Sequence, residues 1–142
     1  LLAEQLSALI EGQEVQLPDG RTVRPEDVLG PFRPGTRLVV VGDTGEIDSL
    51  LPVCRGADAL VMEATYLDEE AEMARQFSHM TARRSAELAQ RAGVRQLFLT
   101  HISRRYREKD VLQEAQSVFA DTLVARDFDV FTVKREEEPS AD

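Results

Sequence analysis

A single cysteine, Cys54, stands among 142 residues, which excludes an intrachain disulfide and a cysteine-rich zinc finger. Long apolar runs are missing too. None exceeds the four residues of Leu38-Val39-Val40-Val41, far short of the roughly 20 that a membrane-spanning helix needs. No basic stretch followed by an apolar one opens the chain, as a secretory leader would. These absences predict a cytoplasmic protein with no membrane partner. Basic residues are outnumbered 17 to 26, for a net charge of −9, which argues against coating nucleic acid by bulk electrostatics. Histidine is scarce, with only His79 and His101. The first residue is Leu1 rather than Met, so the chain is expected to have lost residues that preceded it.

What is present describes a globular chain. Apolar residues make up 42% and charged residues 30%, enough for one core in one domain. Helical spacing of Leu2, Leu6, Leu9 and Ile10 predicts a helix that ends at Gly12. Val15 to Leu17, Pro18-Asp19-Gly20 and Thr22-Val23 read as a small hairpin. Pro25 to Gly30 reads as a turn or short helix, and Pro31 with Pro34-Gly35 as a connector. From Arg37 onward, short apolar runs alternate with helical segments, the pattern of an α/β fold. Strands are predicted over 38–41, 59–62, 97–99, 123–125 and 130–133, and helices over 46–55, 68–76, 82–92 and 109–119. Thr81 is placed as the cap of the 82–92 helix and Gly93 as its left-handed stop. The expected organisation is one lobe over 1–133 and a disordered acidic tail over 134–142.

Charge is unevenly distributed. From Arg75 to Lys109, nine basic residues face two acidic ones, a local net of +7 that leaves −16 for the remainder. Such a segment is either a solvated helix face or a site for a phosphate-bearing substrate. Each core strand is followed at once by a polar or ionisable group: Gly42-Asp43-Thr44, Glu63 and His101. In open α/β sheets the carboxyl ends of the strands form one edge where ligands gather, so these three converge. Taken singly, Asp43 could cap a helix, Glu63 could hold a loop amide and His101 could be a satisfied core histidine. His79 stands just before a helix N-terminus, where free backbone N–H groups favour anions. An aspartate, a glutamate, two histidines and a basic segment together suit metal-assisted phosphodiester hydrolysis.

Four stretches, Gly42-Asp43-Thr44, Glu63-Ala64-Thr65-Tyr66, His79-Met80-Thr81 and Thr100-His101-Ile102-Ser103-Arg104-Arg105-Tyr106, resemble in order and spacing the C-terminal half of ribonuclease Z, the tRNA 3′-processing endonuclease of the metallo-β-lactamase superfamily. The resemblance extends upstream through Leu17-Pro18-Asp19-Gly20-Arg21 and Arg24 to Pro31. It implies the C-terminal lobe of an αββα sandwich. It further implies Asp43 as a carboxylate bridging two zinc ions and His101 as a terminal ligand of one of them. Glu63 and His79 would be an orienting pair, the imidazole donating a proton to the leaving 3′ oxygen of precursor tRNA. Thr81, Ser103, Arg104 and Arg105 would meet substrate phosphates. Met62, Gly45 and Met80 depart from residues usual in the family. No His-x-His-x-Asp-His cluster occurs, so the zinc ligands are incomplete, and the isolated chain is expected to be metal-poor, inactive and self-associating. The alternatives are another hydrolase of this fold, such as a phosphodiesterase or arylsulfatase, and a non-catalytic self-associating lobe.

Overall fold

The computed structural model describes residues 1–31 and 35–134. The expected tail beyond 134 and the Pro34 part of the connector lie outside these residues. Contacts divide the chain into two units, Leu1–Pro34 and Gly35–Asp142, with the division at the connector.

In the first unit, helix α1 (Ala3–Ile10) is followed by Gly12 at φ +86°. Strands β1 (Val15–Gln16) and β2 (Thr22–Val23) pair antiparallel. Their turn is closed by the Gly20 amide donating to the Leu17 carbonyl at 2.9 Å, with Gly20 at φ +86°, a conformation glycine adopts without Cβ strain. Helix α2 (Pro25–Val28) starts on a proline, which is tolerated in a first turn because its missing N–H would have no helical partner there.

The second unit carries a four-stranded parallel sheet in sequential order, β3 (Leu38–Val40), β4 (Ala59–Glu63), β5 (Leu97–Thr100) and β6 (Thr122–Val124). Between the strands run α3 (Leu51–Cys54), a 3₁₀ turn (Asp68–Glu70) leading into α4 (Ala71–Gln76), α5 (Ala82–Ala92) and α6 (Glu108–Gln116). Alternation along each strand sends Leu60, Met62, Leu97 and Leu99 to one face, where they form a core with Ala82, Ala86 and Ala89 of α5 and Val111 and Ala115 of α6. The alanine stripe on α5 lets the helix lie close to the strands, so the largest side chains come from the sheet.

The opposite phase is covered unevenly. Val40, Val61, Phe98 and Leu123 are in register across all four strands. Val40 is 67% exposed and Leu123 37%, as is 51% of Leu38, whereas Phe98 is shielded by Phe131 with ring centroids 4.6 Å apart.

Two expected elements differ. The helix expected over 46–55 is reduced to α3. Pro52 has no N–H and its ring clashes with the carbonyl four residues back, so it is accepted only at a helix start; the Glu46 carboxylate instead receives the Asp48 and Ser49 amides at 2.9 and 3.3 Å. Residues 130–133 form no strand. Phe131 packs on Phe98, and the Arg95 guanidinium donates to the Lys134 carbonyl at 3.3 Å, in place of a ladder.

Candidate active site at the carboxyl edge of the sheet

All four strands point the same way, so β3, β4 and β5 end on one edge. Each delivers a functional side chain there. Glu63, the last residue of β4, is 1% exposed, so its carboxylate needs hydrogen bonds in place of water. It has them: the Thr44 amide donates to Oε1 at 2.9 Å, the Thr65 hydroxyl donates to Oε2, and His79 Nδ1 lies 3.0 and 2.9 Å from the two oxygens. Glu63 therefore does hold a loop amide, and an imidazole as well.

His79 reaches this carboxylate because the chain before α5 is fixed on both sides. Its own amide donates to the Ala74 carbonyl at 2.8 Å, and Tyr66 exchanges backbone hydrogen bonds with Met80 and Ala82 at 3.1 and 2.9 Å. Thr81 then caps α5, accepting the Arg84 amide at 3.2 Å, and Gly93 ends the helix at φ +63°. His101 follows β5 at φ +52°, a backbone conformation uncommon outside glycine, and its ring is half exposed rather than in the core. Its Nδ1 lies 2.8 Å from Asp43 Oδ1. The two imidazoles meet edge to face with centroids 5.3 Å apart.

Asp43, Glu63, His79 and His101 each offer one ligand atom, and these atoms all lie within 4.8 Å of one another. Both rings direct Nδ1 at a carboxylate, so in the neutral imidazoles Nδ1 carries the hydrogen and Nε2 the lone pair. Two imidazoles and two carboxylates suit a divalent first-row ion. Since both Glu63 oxygens are already engaged, Asp43 and the Nε2 atoms of the two rings are the donors open to one. Thr65 is the residue that sequence reasoning left without a role. Its buried hydroxyl lies 3.4 Å from His79 Nδ1 and 3.5 Å from His101 Nδ1 while donating to Glu63. Its place two residues after a catalytic-type carboxylate was the signal available.

The remaining candidates lie around this cluster. Thr81 is fully buried and its hydroxyl donates to Asp68 at 3.2 Å. Ser103 accepts the Arg105 amide at 3.3 Å, and Arg105 pairs with Glu70 at 3.2 Å. Arg104 is exposed and makes no ion pair among the described residues. Much of the basic segment is matched by acids: Arg83 by Asp68, Arg91 by Asp48, Arg95 by Asp58 and Arg107 by Asp110, at 2.9–3.4 Å. Beside His101, a pocket of about 370 Å³ is lined by Ser103, Arg104, Val124 and Arg126 among others.

This edge cluster falls within the part of the chain, residues 10–102, that matches the beta-lactamase superfamily domain. The chain belongs to the β-lactamase superfamily. Within that superfamily it is similar to ribonuclease Z of Bradyrhizobium sp. (strain ORS 278), with 46% identity over 144 residues, 94% of this chain and 48% of the relative. Ribonuclease Z of Brevibacillus brevis is 42% identical over 136 residues, 91% of this chain and 43% of that protein. The short form of human tRNase Z superposes with a TM-score of 0.57 at 26% identity, covering 80% of this chain and 37% of its own. This superfamily member spans about half the length of the curated relatives it matches. Its parallel sheet with helices is the metallo-β-lactamase fold seen in such neighbours.

Proposed function

We propose that this chain is the C-terminal part of a zinc-dependent endoribonuclease that removes 3′ trailers from precursor tRNA. The observation that carries this reading is the convergence of Asp43, Glu63, His79 and His101 within 4.8 Å at one sheet edge, in a chain 40–47% identical to proteins named ribonuclease Z. Asp43 and His101 would hold the metal. A bound divalent ion there supplies Lewis-acid stabilisation of charge on phosphodiester oxygens. The chain's own contribution is proton handling and orientation. Glu63 fixes the His79 ring through Nδ1, which leaves Nε2 to hold a proton and pass it to the departing 3′ oxygen. Such a transfer needs the ring with a hydrogen on both nitrogens, Nδ1 donating to Glu63 and Nε2 to the departing oxygen. Ser103, Arg104 and Arg105 extend the site toward flanking phosphates, the exposed guanidinium of Arg104 being the most available.

With His79 reserved for the proton, the chain alone offers two ligands, Asp43 and His101, where a catalytic zinc takes about three. It is therefore inactive by itself in this reading. The exposed Leu38, Val40 and Leu123 on one face of the sheet support self-association, because apolar sheet faces rarely stay bare in water. A cytoplasmic location accords with the near-absence of cysteine. The test joins this chain to the part of the 46%-identical Bradyrhizobium relative that the alignment does not span. The joined protein is expected to cleave precursor tRNA at the 3′ trailer in a zinc-dependent manner, and far faster than a small chromogenic phosphodiester. Preference for the small ester would instead favour a general phosphodiesterase.

A further inference from the structure

The loop that carries Asp43 comes close to the loop that carries His79 at Gly45. A Cβ built on Gly45 would lie 2.9 Å from the Ser78 Cα, 3.2 Å from its Cβ and 3.3 Å from its carbonyl carbon. Two of these three atoms are backbone, so no rotamer change makes room. Ser78 is itself held at φ +57°, and its successor His79 is anchored through the Ala74 carbonyl, so the Ser78 side of the contact has little freedom to retreat. Gly45 needs no positive φ; the close approach alone requires glycine there. A second tie acts on the same residue. Arg84, in the first turn of α5, donates from Nη1 to the Gly45 carbonyl at 3.2 Å, while the preceding Thr44 amide is held by Glu63.

From these contacts we infer that Gly45 and Arg84 are positioning residues that seat the Asp43 loop against His79. This inference rests on the assignment of Asp43 and His101 to metal. Asp43 follows β3 by only three residues, and among the described residues its side chain is fixed by the His101 bond alone. With the loop unseated, Asp43 moves away from His101 Nδ1, and the paired donors are no longer presented together. Arg84 thereby acts on the site through a main-chain carbonyl, a contact that the long lysine side chain also makes and that the glutamine amide, two bonds shorter than the guanidinium, does not reach.

The test uses the 142-residue chain as wild type, Gly45→Ala, Arg84→Gln and Arg84→Lys. Cobalt(II) is titrated into each while its ligand-field bands are followed, and long-range ¹H–¹⁵N spectra report the imidazole tautomers without metal. Gly45→Ala and Arg84→Gln are expected to weaken cobalt binding by about tenfold or more and to remove the preference of His101 for the Nδ1–H tautomer. Arg84→Lys should stay within about threefold of wild type and keep that tautomer. Arg84→Gln carries the test by itself if Gly45→Ala does not fold, since it removes a surface-side guanidinium and no core atom. Wild-type affinity and tautomers in both Gly45→Ala and Arg84→Gln would overturn the inference. A wild-type chain that takes no cobalt is the outcome of an incomplete ligand set, and the tautomer spectra then decide the seating by themselves.

Discussion

Replacing Glu63 by Gln probes whether the centre of the site is held together by its buried carboxylate. The carboxylate is 1% exposed and receives the Thr44 amide, the Thr65 hydroxyl and the His79 ring. Hydrogen bonds to a charged partner contribute about 1.5–3 kcal/mol each. In either orientation of the amide, its NH₂ replaces one acceptor and faces at least one of these donors, so one or two bonds are lost. His79 is 20% exposed and recovers part of its loss from water, and removing a buried charge returns some desolvation energy. The net is a destabilisation of about 1–3 kcal/mol. Urea unfolding of the chain and of Glu63→Gln measures it as a lower midpoint at constant slope. A variant as stable as wild type, or more so, would refute the reasoning: Glu63 would then be a strained charge and not the satisfied centre of a network.

Thr65→Val, which removes the hydroxyl and keeps the shape, should destabilise by about 1–2 kcal/mol, with Thr65→Ser recovering most of it; equal losses in both would assign the effect to packing. The Arg126 guanidinium, hydrogen-bonded to Glu108, holds that carboxyl below its ordinary value of 4.5. The pair's stabilisation is therefore complete above the ordinary value and is lost as the pH falls through the lowered one. Thermal midpoints of wild type and Glu108→Gln should accordingly be furthest apart above the ordinary value of 4.5 and draw together as the pH falls below it. In the joined protein, Arg104→Ala should flatten the salt dependence of precursor-tRNA binding by about one unit of slope. Arg107→Ala should flatten it less, because Asp110 already neutralises Arg107 at 2.9 Å.

The parts of the fold legible in the sequence are those set by local chemistry. Thr81, the alanines at 82, 86 and 89, and Gly93 are a cap, a close-packing stripe and a left-handed stop within one stretch, and α5 has those bounds. The gathering of Asp43, Glu63 and His101 followed from parallel strands ending at one edge. Local apolarity misled where proline or pairing decided the outcome. Pro52 shortened α3, and Val130 to Val133 pair with no strand among the described residues, Phe131 covering Phe98 instead. The approach of Gly45 to Ser78 and the reach of Thr65 to both histidines depend on loops 33 and 14 to 36 residues apart in the chain. No spacing rule encodes such meetings.

The central claim is a division of labour in which Asp43 holds metal and His79 moves a proton. Its most direct measurement is zinc content and precursor-tRNA turnover, determined side by side for His79→Ala and Asp43→Ala in the joined protein. The account predicts that His79→Ala keeps its zinc while turnover falls by about 10²–10⁴-fold, and that Asp43→Ala loses zinc and turnover together. Loss of zinc from His79→Ala, or near-normal turnover without the imidazole, would contradict it.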